Sequence, residues 1–260
     1  MNYQKELDLA IEAARKAGNI LLNQKELNVT SKQDGTPVSE ADKASSKFLS
    51  EFLLKNFPDY GLLDEEQEED NSRFSKQLCW IIDPLDSTKS YINNIDSYSV
   101  LIGLIKDFEP ILGVSYRPKI DELVYAVKGH GSFLIKDNKS PIKLSVSNST
   151  DINLLISKTR FNENFKKTVE KLNPNSLNFM GGSTKIIEIA KGSSNLYISP
   201  KENTMNLWDV CAPSIILSEA GGLLTDLQDN QINFSNKQVE LNNGLIASNN
   251  LLHEKIIKSI

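Results

Sequence analysis

Between residues 78 and 135 the chain contains a succession of short strand-like segments, which restrict the fold of its first half more than any other feature. The segments are rich in β-branched and aromatic residues, and Pro, Gly and Asp separate them, as in strands joined by turns. Two amphipathic helices come first, one over residues 3–24 and one that begins near Ser39. We therefore expect a mostly antiparallel sheet covered by two helices. The expected strands are 78–82, 98–106, 110–118, 122–127 and 131–135.

The pattern changes after about residue 140, where strand-like segments alternate with helical ones. Such alternation is typical of an α/β arrangement. We therefore divide the chain into an N-terminal α+β part, residues 1–145, and a C-terminal α/β part, residues 146–260. The expected C-terminal helices are 162–172, 183–191 and 206–220.

Composition argues against several classes of function. The net charge of -5 gives no global reason to bind a nucleic acid polymer or an anionic membrane. No apolar run reaches the roughly 18 residues that cross a bilayer, and the N-terminus lacks a signal-peptide pattern, so we expect a cytoplasmic protein. With two cysteines and two histidines in the chain, a zinc site is not expected, and a metal would need oxygen ligands.

One short segment, WIIDPLDSTK over residues 80–89, combines groups that suit a cation with groups that suit an anion. We expect WII to be a buried strand that Pro84 ends, since proline cannot donate to a sheet. Asp83 and Asp86 then lie close together, and two ionised carboxylates held close need a cation between them. Oxygen ligands favour Mg²⁺, Ca²⁺ or Mn²⁺. The hydroxyl and amide groups of Ser87 and Thr88 favour an anion, so the segment indicates a phosphate site, although a capped turn would also explain it.

Two other acidic positions fit the same site. Glu65 follows the apolar run YGLL and precedes Asp83 by fewer than 20 residues, so a strand end would bring it near. Asp209 opens an apolar helical run that Gly221 and Gly222 close. The alternatives are a solvated acidic loop for Glu65 and a favourable helix N-terminal charge for Asp209.

Three motifs together resemble the inositol monophosphatase superfamily of Mg²⁺-dependent, lithium-sensitive phosphatases. They are Glu65-Glu66, the segment from Asp83 to Thr88 and the segment from Trp208 to Gly222, in the order and spacing of the superfamily. The resemblance covers nearly the whole chain. It implies a layered α-β-α-β-α sandwich with the active site between its two parts.

The resemblance also implies roles for individual residues. Two or three Mg²⁺ ions would bind in each site, with Mn²⁺ as an alternative, and Asp83 would bridge two of them. Glu65 and Thr88 would position and deprotonate the attacking water. The implied metal ligands are Glu65, Asp83, the Leu85 carbonyl, Asp86 and Asp209.

Two positions near this site have further implications. Asp42 matches an aspartate that hydrogen-bonds the threonine and tunes it, although Ser39-x-x-Asp42 also has the spacing of a helix capping box. Ser87 stands where the superfamily usually has glycine. If that position needs a positive φ, the serine costs about 1 kcal/mol or more.

Details of the motifs resemble the 3'(2'),5'-bisphosphate nucleotidases within this superfamily. They are Thr88-Lys89, the form W-D-x-C-A-P from Trp208 to Pro213, and Gly181 to Lys185. A substrate with two phosphates needs additional cationic contacts, which lysines would supply. Arg160 stands in an element where the nucleotidases have a histidine, and it would replace that contact or signal another substrate. The implied substrate-binding residues are Ser87, Thr88, Lys89, Arg160, Gly182, Ser183 and Lys185.

The leading hypothesis is hydrolysis of the 3'-phosphate of adenosine 3',5'-bisphosphate to AMP. The alternative within the class is a phosphatase for inositol or another small alcohol phosphate. From another class, a non-catalytic Mg²⁺- and phosphate-binding regulator would keep the fold, but it would not need every ligand and the water-positioning pair. A homodimer is left open by the resemblance to dimeric relatives.

Overall fold

The structure, a computed structural model, describes residues 2–24, 28–31, 37–137, 139–201 and 205–260, without the side chain of Arg160. The helices are α1 (Gln4–Asn23), α2 (Glu40–Asn56), α3 (Thr88–Ile92), α4 (Glu163–Leu172), α5 (Thr184–Ala190), α6 (Leu207–Glu219) and α7 (His253–Ile257). In the first part the strands are β1 (Val29–Ser31), β2 (Pro37–Ser39), β3 (Gly61–Asp64), β4 (Leu78–Asp86), β5 (Ser99–Lys106), β6 (Glu109–Arg117), β7 (Glu122–Val127), β8 (Gly131–Lys136) and β9 (Ile142–Lys143). In the second part they are β10 (Asn153–Ile156), β11 (Ser176–Phe179), β12 (Leu196–Ser199), β13 (Gly222–Thr225) and β14 (Leu245–Asn249).

The large sheet runs in the order β3-β4-β5-β6-β7-β8-β9, and only its first pair, β3 with β4, is parallel. The smaller sheet runs β11-β10-β12-β14-β13, with parallel pairing around β10 and antiparallel pairing around β14. Short connections join β5, β6, β7 and β8 of the large sheet, whereas α4 and α5 follow strands of the smaller sheet. This contrast confirms the expected change from an α+β to an α/β pattern. The division at residues 145 and 146 into two parts stays a prediction.

Helices and sheets alternate in layers. Helices α1 and α2 pack against each other and against one face of the large sheet, where Trp80 and Ile82 of β4 join the core. Helices α5 and α6 lie between the two sheets, and Ile81 of β4 faces them. Phe165 of α4 and Ile256 of α7 contribute to the core on the outer face of the smaller sheet. The expected α-β-α-β-α sandwich is confirmed.

Two glycines let α6 lie close against the large sheet. Gly103 of β5 and Gly113 of β6 are directly opposite each other in the antiparallel register. A Cβ atom on Gly113 would lie 2.5 Å from the Ala212 carbonyl oxygen, and one on Gly103 would overlap Cys211 Sγ. Side chains at these positions would therefore push α6 away, together with the aspartate in its first turn.

Pro84 does not end its strand: β4 continues to Asp86 through an irregular register between Asp83 and Asp86. Proline has no N–H to donate, and a bulge is where a strand tolerates that loss. The segment KQDGTPVS between α1 and α2 predicts a turn-rich connection. Its residues 32–36 lie outside the described part, while Pro37–Ser39 forms a strand that pairs with β1.

No helix within the described residues is both long enough and apolar enough to span a bilayer.

Candidate active site

The parallel pairing of β3 with β4 brings Glu65 to Asp83. Asp64 at the end of β3 is opposite Ile82 in the register, and the Glu65 amide donates to the Ile82 carbonyl at 3.3 Å. Parallel strands end at the same edge of a sheet, so the residues that follow them are neighbours. The carboxyl groups of Glu65 and Asp83 lie within hydrogen-bonding reach of each other, which contributes to the raised pKa of Asp83.

The bulge at the end of β4 holds Asp83, Leu85 and Asp86 in fixed positions. The Leu85 amide donates to Asp83 Oδ1 at 3.0 Å. Ser45 Oγ of α2 donates to the Pro84 carbonyl at 2.9 Å. This bond satisfies a backbone acceptor that the bulge takes out of the hydrogen bonding between strands. Asp83 and Asp86 are buried, with 1% and 4% of their surface exposed. The bulge therefore presents two buried carboxylates at the same place.

Asp209 joins them from the other half of the chain. It lies in the first turn of α6, where its carboxylate accepts a hydrogen bond from the Asn206 amide and Asn206 caps the helix in return. One carboxylate oxygen from each of Asp83, Asp86 and Asp209 lies within 4.8 Å of the others. The helix-terminal role considered for Asp209 and its place in the acidic cluster are thus compatible.

Burial and mutual repulsion raise the pKa values of two carboxylates in this cluster. Burial and the carboxylates of Glu65, Asp86 and Asp209 raise the pKa of Asp83 well above its ordinary value. Burial also raises the pKa of Asp86 to about 6, although the Ser183 amide and Lys185 oppose the rise. Carboxylates that repel one another in a buried site are stabilised when a cation binds between them. The donors are all hard oxygens, which fit a divalent ion such as Mg²⁺ or Mn²⁺.

Asp42 connects α2 to Thr88. Thr88 Oγ1 donates to Asp42 Oδ1 at 2.9 Å, while Asp42 Oδ2 accepts from Ser39 N and Ser39 Oγ at 2.7 and 2.6 Å. Asp42 is therefore a capping-box residue and the partner of Thr88 at once. The two interpretations that the sequence left open are both correct descriptions of its contacts.

Ser87 confirms that this position of the turn needs an unusual backbone. Its φ is 70° and its ψ is 57°, the left-handed region where glycine is favoured. Ser87 is half-buried, and its Oγ lies 2.8 Å from Ser90 Oγ.

Residues 181–185 pack directly against Asp86. The Ser183 amide donates to Asp86 Oδ2 at 2.7 Å, and Ser99 donates to the same oxygen at 3.3 Å. Gly182 has a φ of 58°, and a Cβ there would lie 2.9 Å from the Asp86 Cγ atom. Glycine is therefore required here both for its backbone conformation and for the close approach to the carboxylate.

The two predicted lysines have different environments. Lys89 is exposed, whereas Lys185 is 2% exposed, with its ammonium hydrogen-bonded to the carbonyls of Met180 and Gly182 and 5.0 Å from the centre of the Tyr197 ring. Lys185 thus holds the 180–182 segment in place. The side chain of Arg160 lies outside the described part of the chain, so its predicted role stays a prediction.

Most of these groups line one cavity of about 690 Å³. Carboxylates form one side of it, and the 87–97 segment, Lys158 and residues 179–182 form other parts of its wall. Of the residues that the sequence assigned to the site, the cavity is lined by Glu65, Asp83, Leu85, Asp86, Ser87, Thr88, Lys89, Gly182, Lys185 and Asp209. Asp42 and Ser183 are not among the lining residues. Asp42 accepts a hydrogen bond from Thr88, and Ser183 is fully buried against Asp86.

Several polar residues that shape the site were not predicted from the sequence. Ser46 of α2 donates to Asp64 at 2.6 Å and so fixes the turn that carries Glu65. Isolated serines on a helix carry no pattern that would reveal such contacts. Asn206-x-x-Asp209 does have capping-box spacing, and this signal was available in the sequence. The missed residues are Ser45, Ser46, Ser90, Ser97, Ser99, Lys158 and Asn206.

The layered sandwich and its buried carboxylate cluster, with the threonine and aspartate pair beside it, define a phosphoric monoester hydrolase of a metal-dependent class. The chain belongs to the inositol monophosphatase family, which it matches over residues 2–260.

Relatives with different names are equally similar to it. A 3'(2'),5'-bisphosphate nucleotidase CysQ of Buchnera aphidicola is 30% identical over 95% of this chain and 94% of its own. A fructose-1,6-bisphosphatase/inositol-1-monophosphatase of Aquifex aeolicus is also 30% identical, over 99% and 96% of the two chains. The structure of an inositol monophosphatase from Anabaena superposes with a TM-score of 0.80 at 28% identity, covering 100% of this chain and 96% of the other.

Proposed function

We propose that this phosphatase hydrolyses the 3'-phosphate of adenosine 3',5'-bisphosphate to give AMP and phosphate, with Mg²⁺ as the metal. The observation that carries the chemistry is the convergence of Asp83, Asp86 and Asp209 within 4.8 Å, in one cavity with Thr88. The choice of substrate is supported by the nucleotidase relative and by exposed lysines on the cavity wall.

The carboxylates would hold the metal, with Asp83 between two ions. Glu65, Asp83 and the Leu85 carbonyl would bind one Mg²⁺, while Asp83, Asp86 and Asp209 would bind another. Bound Mg²⁺ lowers the pKa of a coordinated water and neutralises charge on phosphoryl and leaving oxygens.

Thr88 and Glu65 would orient the attacking water. Because the Thr88 proton is directed at Asp42, the Thr88 oxygen has lone pairs left to accept a hydrogen bond from water. Glu65 would take the water proton as the oxygen attacks phosphorus. The bond between phosphorus and the 3' oxygen would break, that oxygen would take up a proton from solvent to become the 3'-hydroxyl of AMP, and Glu65 would return its proton to solvent. The amides of Ser87 and Thr88 would hold phosphoryl oxygens during this exchange.

Cationic groups favour a substrate with a second phosphate. Lys89 and Lys158 are exposed and line the cavity, and either can reach a phosphate without losing a buried partner. Lys185 and residues Gly182 and Ser183 would shape the wall beside the nucleotide, and Arg160 would take the place of the nucleotidase histidine. The site would act on small phosphate esters, without a nucleic acid polymer or membrane as partner. A cytoplasmic location and a homodimer remain expectations from the sequence.

The deciding experiment compares kcat/KM for adenosine 3',5'-bisphosphate, inositol 1-phosphate and fructose 1,6-bisphosphate in the presence of Mg²⁺. Phosphate release is measured for the wild type and for Asp83→Asn prepared in parallel, which corrects for contaminating phosphatases. We expect a preference of about a hundredfold for the nucleotide, equivalent to about 2.7 kcal/mol of transition-state binding. Equal rates, or a preference for either of the other substrates, would show that the nucleotide assignment is wrong while leaving the phosphatase chemistry intact.

A further inference from the structure

Ser87 keeps an unfavourable backbone conformation in the wall of the active-site cavity. Its φ of 70° is one that glycine adopts without strain, and Ser87 lines the cavity between Asp86 and Thr88. Residues held in such regions persist when the surrounding structure stabilises them, and they cluster at functional sites. The strained position therefore points to a use for the serine hydroxyl.

The hydroxyl of Ser87 belongs to a hydrogen-bonded chain of three serine hydroxyls. Ser97 Oγ donates to Ser90 Oγ at 2.9 Å, and Ser90 Oγ lies 2.8 Å from Ser87 Oγ. Ser90 and Ser97 are buried, at 7% and 5% exposed, whereas Ser87 is half-buried at the cavity. The chain thus runs from a buried end to an end that faces the cavity.

Gly181 leaves the room that this chain occupies. A Cβ atom at Gly181 would lie 2.6 Å from Ser90 Oγ, 2.8 Å from Ser87 Oγ and 3.2 Å from Ser97 Oγ. Any other residue at 181 would displace the three hydroxyls. The chain is therefore built into the same wall that holds Gly182 against Asp86.

The number of available protons fixes which hydroxyl donates to which in this hydrogen-bonded chain. Each serine hydroxyl has one proton to donate and lone pairs to accept with. Ser90 Oγ accepts from Ser97 Oγ, and its one other side-chain partner among the described residues is Ser87 Oγ. If Ser87 donated to Ser90, the buried Ser90 proton would have no acceptor, which is the costly arrangement. Ser90 therefore donates to Ser87, and the Ser87 proton remains for an acceptor in the cavity.

We propose that the Ser87 hydroxyl is a specificity-determining donor to a phosphate oxygen of the substrate, with Ser90 and Ser97 as positioning residues that fix the direction of its proton. The inference rests on the phosphatase activity, and it deepens the proposed function by adding a contact that a glycine at this position cannot make. The phosphate is either the one transferred or a second one on the same substrate.

Two substitutions at one position separate the hydroxyl from the backbone. Ser87→Ala removes the hydroxyl and keeps a Cβ in the left-handed conformation, whereas Ser87→Gly removes the hydroxyl and relieves the strain. We expect kcat/KM for the best phosphate ester to fall about tenfold to a hundredfold in both variants, as for loss of a hydrogen bond to a charged group. We also expect Ser87→Gly to have the higher Tm of the two.

Inorganic phosphate with Mg²⁺ identifies which phosphate is bound. A Ki for phosphate that rises in both variants assigns the contact to the transferred group. An unchanged Ki, with kcat/KM lowered for a ribose 3,5-bisphosphate and not for its 3-monophosphate, assigns it to a second phosphate. Wild-type kcat/KM and Ki within twofold in both variants would overturn the proposal, as would a loss confined to Ser87→Ala, which would be a backbone effect.

A double-mutant cycle tests the positioning role of Ser90. If Ser90 acts through Ser87, Ser90→Ala lowers kcat/KM in the wild type and has no further effect in Ser87→Ala. Additive losses would show that Ser90 contributes to folding of the wall and not to the direction of the Ser87 proton. Because the comparison uses whichever ester is hydrolysed best, a wrong nucleotide assignment would leave this test intact.

Discussion

Thr88 Oγ1 and Asp42 Oδ1 are 2.9 Å apart, and the second oxygen of Asp42 is hydrogen-bonded to the backbone and side chain of Ser39. One buried carboxylate thus caps α2 and orients the threonine beside the acidic cluster. The hydrogen bonds of Asp42 therefore stabilise the start of the helix and also fix the direction of the Thr88 hydroxyl.

Asp42→Ala should therefore lower both stability and activity. We expect the free energy of unfolding to fall by about 1–2 kcal/mol from the lost cap. We expect kcat to fall about tenfold to a hundredfold because Thr88 loses the acceptor of its proton. Thermal unfolding and kcat at saturating substrate and Mg²⁺ measure the two effects separately.

Glu40→Gln is the matched control, since Glu40 lies in the same helical turn and its side chain is exposed to solvent. It should change stability by no more than about 1 kcal/mol and leave kcat unchanged. If folded Asp42→Ala had the kcat of the wild type, the hydrogen bond to Thr88 would have no part in the reaction.

The sequence predicts the acidic residues of the site well because their chemistry restricts which side chains are suitable. Carboxylates at the ends of apolar segments, as in Asp83 and Asp209, are recognisable before any contact is known. The serines that hold them are not, because Ser45 and Ser46 act through contacts with residues 39 and 18 positions away. Such partners become visible only when β3 and β4 are placed beside α2.

Pro84 shows a different limit of the sequence. The rule that proline ends a strand concerns a regular ladder, and it does not anticipate that β4 continues through a bulge. The bulge is also what presents Asp83 and Asp86 on one side, so the local exception is part of the site. Lys185 lines the cavity, and its ammonium is also hydrogen-bonded to two backbone carbonyls, contacts that the sequence does not anticipate.

Asp83→Asn should abolish turnover and raise the stability of the metal-free protein. The substitution removes the charge that would bridge two ions, and we expect kcat/KM to fall by about a thousandfold or more. It also removes a carboxylate whose pKa is raised by burial and by repulsion from the neighbouring carboxylates, so Tm without Mg²⁺ should rise. Phosphate release and thermal unfolding with and without Mg²⁺ are the measurements.

Glu68→Gln provides the control for loss of an acidic charge, since Glu68 is exposed in the same acidic run as Glu65. It should behave as the wild type in both assays. Near-normal turnover of Asp83→Asn at saturating Mg²⁺ would contradict the two-metal assignment.

Li⁺ should inhibit the enzyme more strongly than Na⁺. Li⁺ is a small hard cation that prefers oxygen ligands, and with one charge fewer than Mg²⁺ it would neutralise a carboxylate site incompletely. At equal millimolar concentrations and constant ionic strength, initial rates in Li⁺ should be lower than those in Na⁺. Equal rates with the two ions would count against occupation of a metal position by Li⁺.

Stabilisation by Mg²⁺ should depend on pH because the acidic cluster releases protons when it binds a cation. Burial raises the folded-state pKa of Asp86 from 3.8 to about 6, and that of Asp83 is raised as well. Between these values the folded metal-free protein binds more protons than the unfolded chain, so its stability falls as pH rises from about 4 through about 6. Mg²⁺ binds the deprotonated carboxylates and restores that loss, by about 2.7 kcal/mol at a concentration of 100 times Kd. Thermal unfolding should therefore show a larger Mg²⁺-induced rise in Tm at pH 7.5 than at pH 5, with Na⁺ at equal ionic strength as the control. The same rise at both pH values would mean that the ion binds elsewhere than at Asp83 and Asp86.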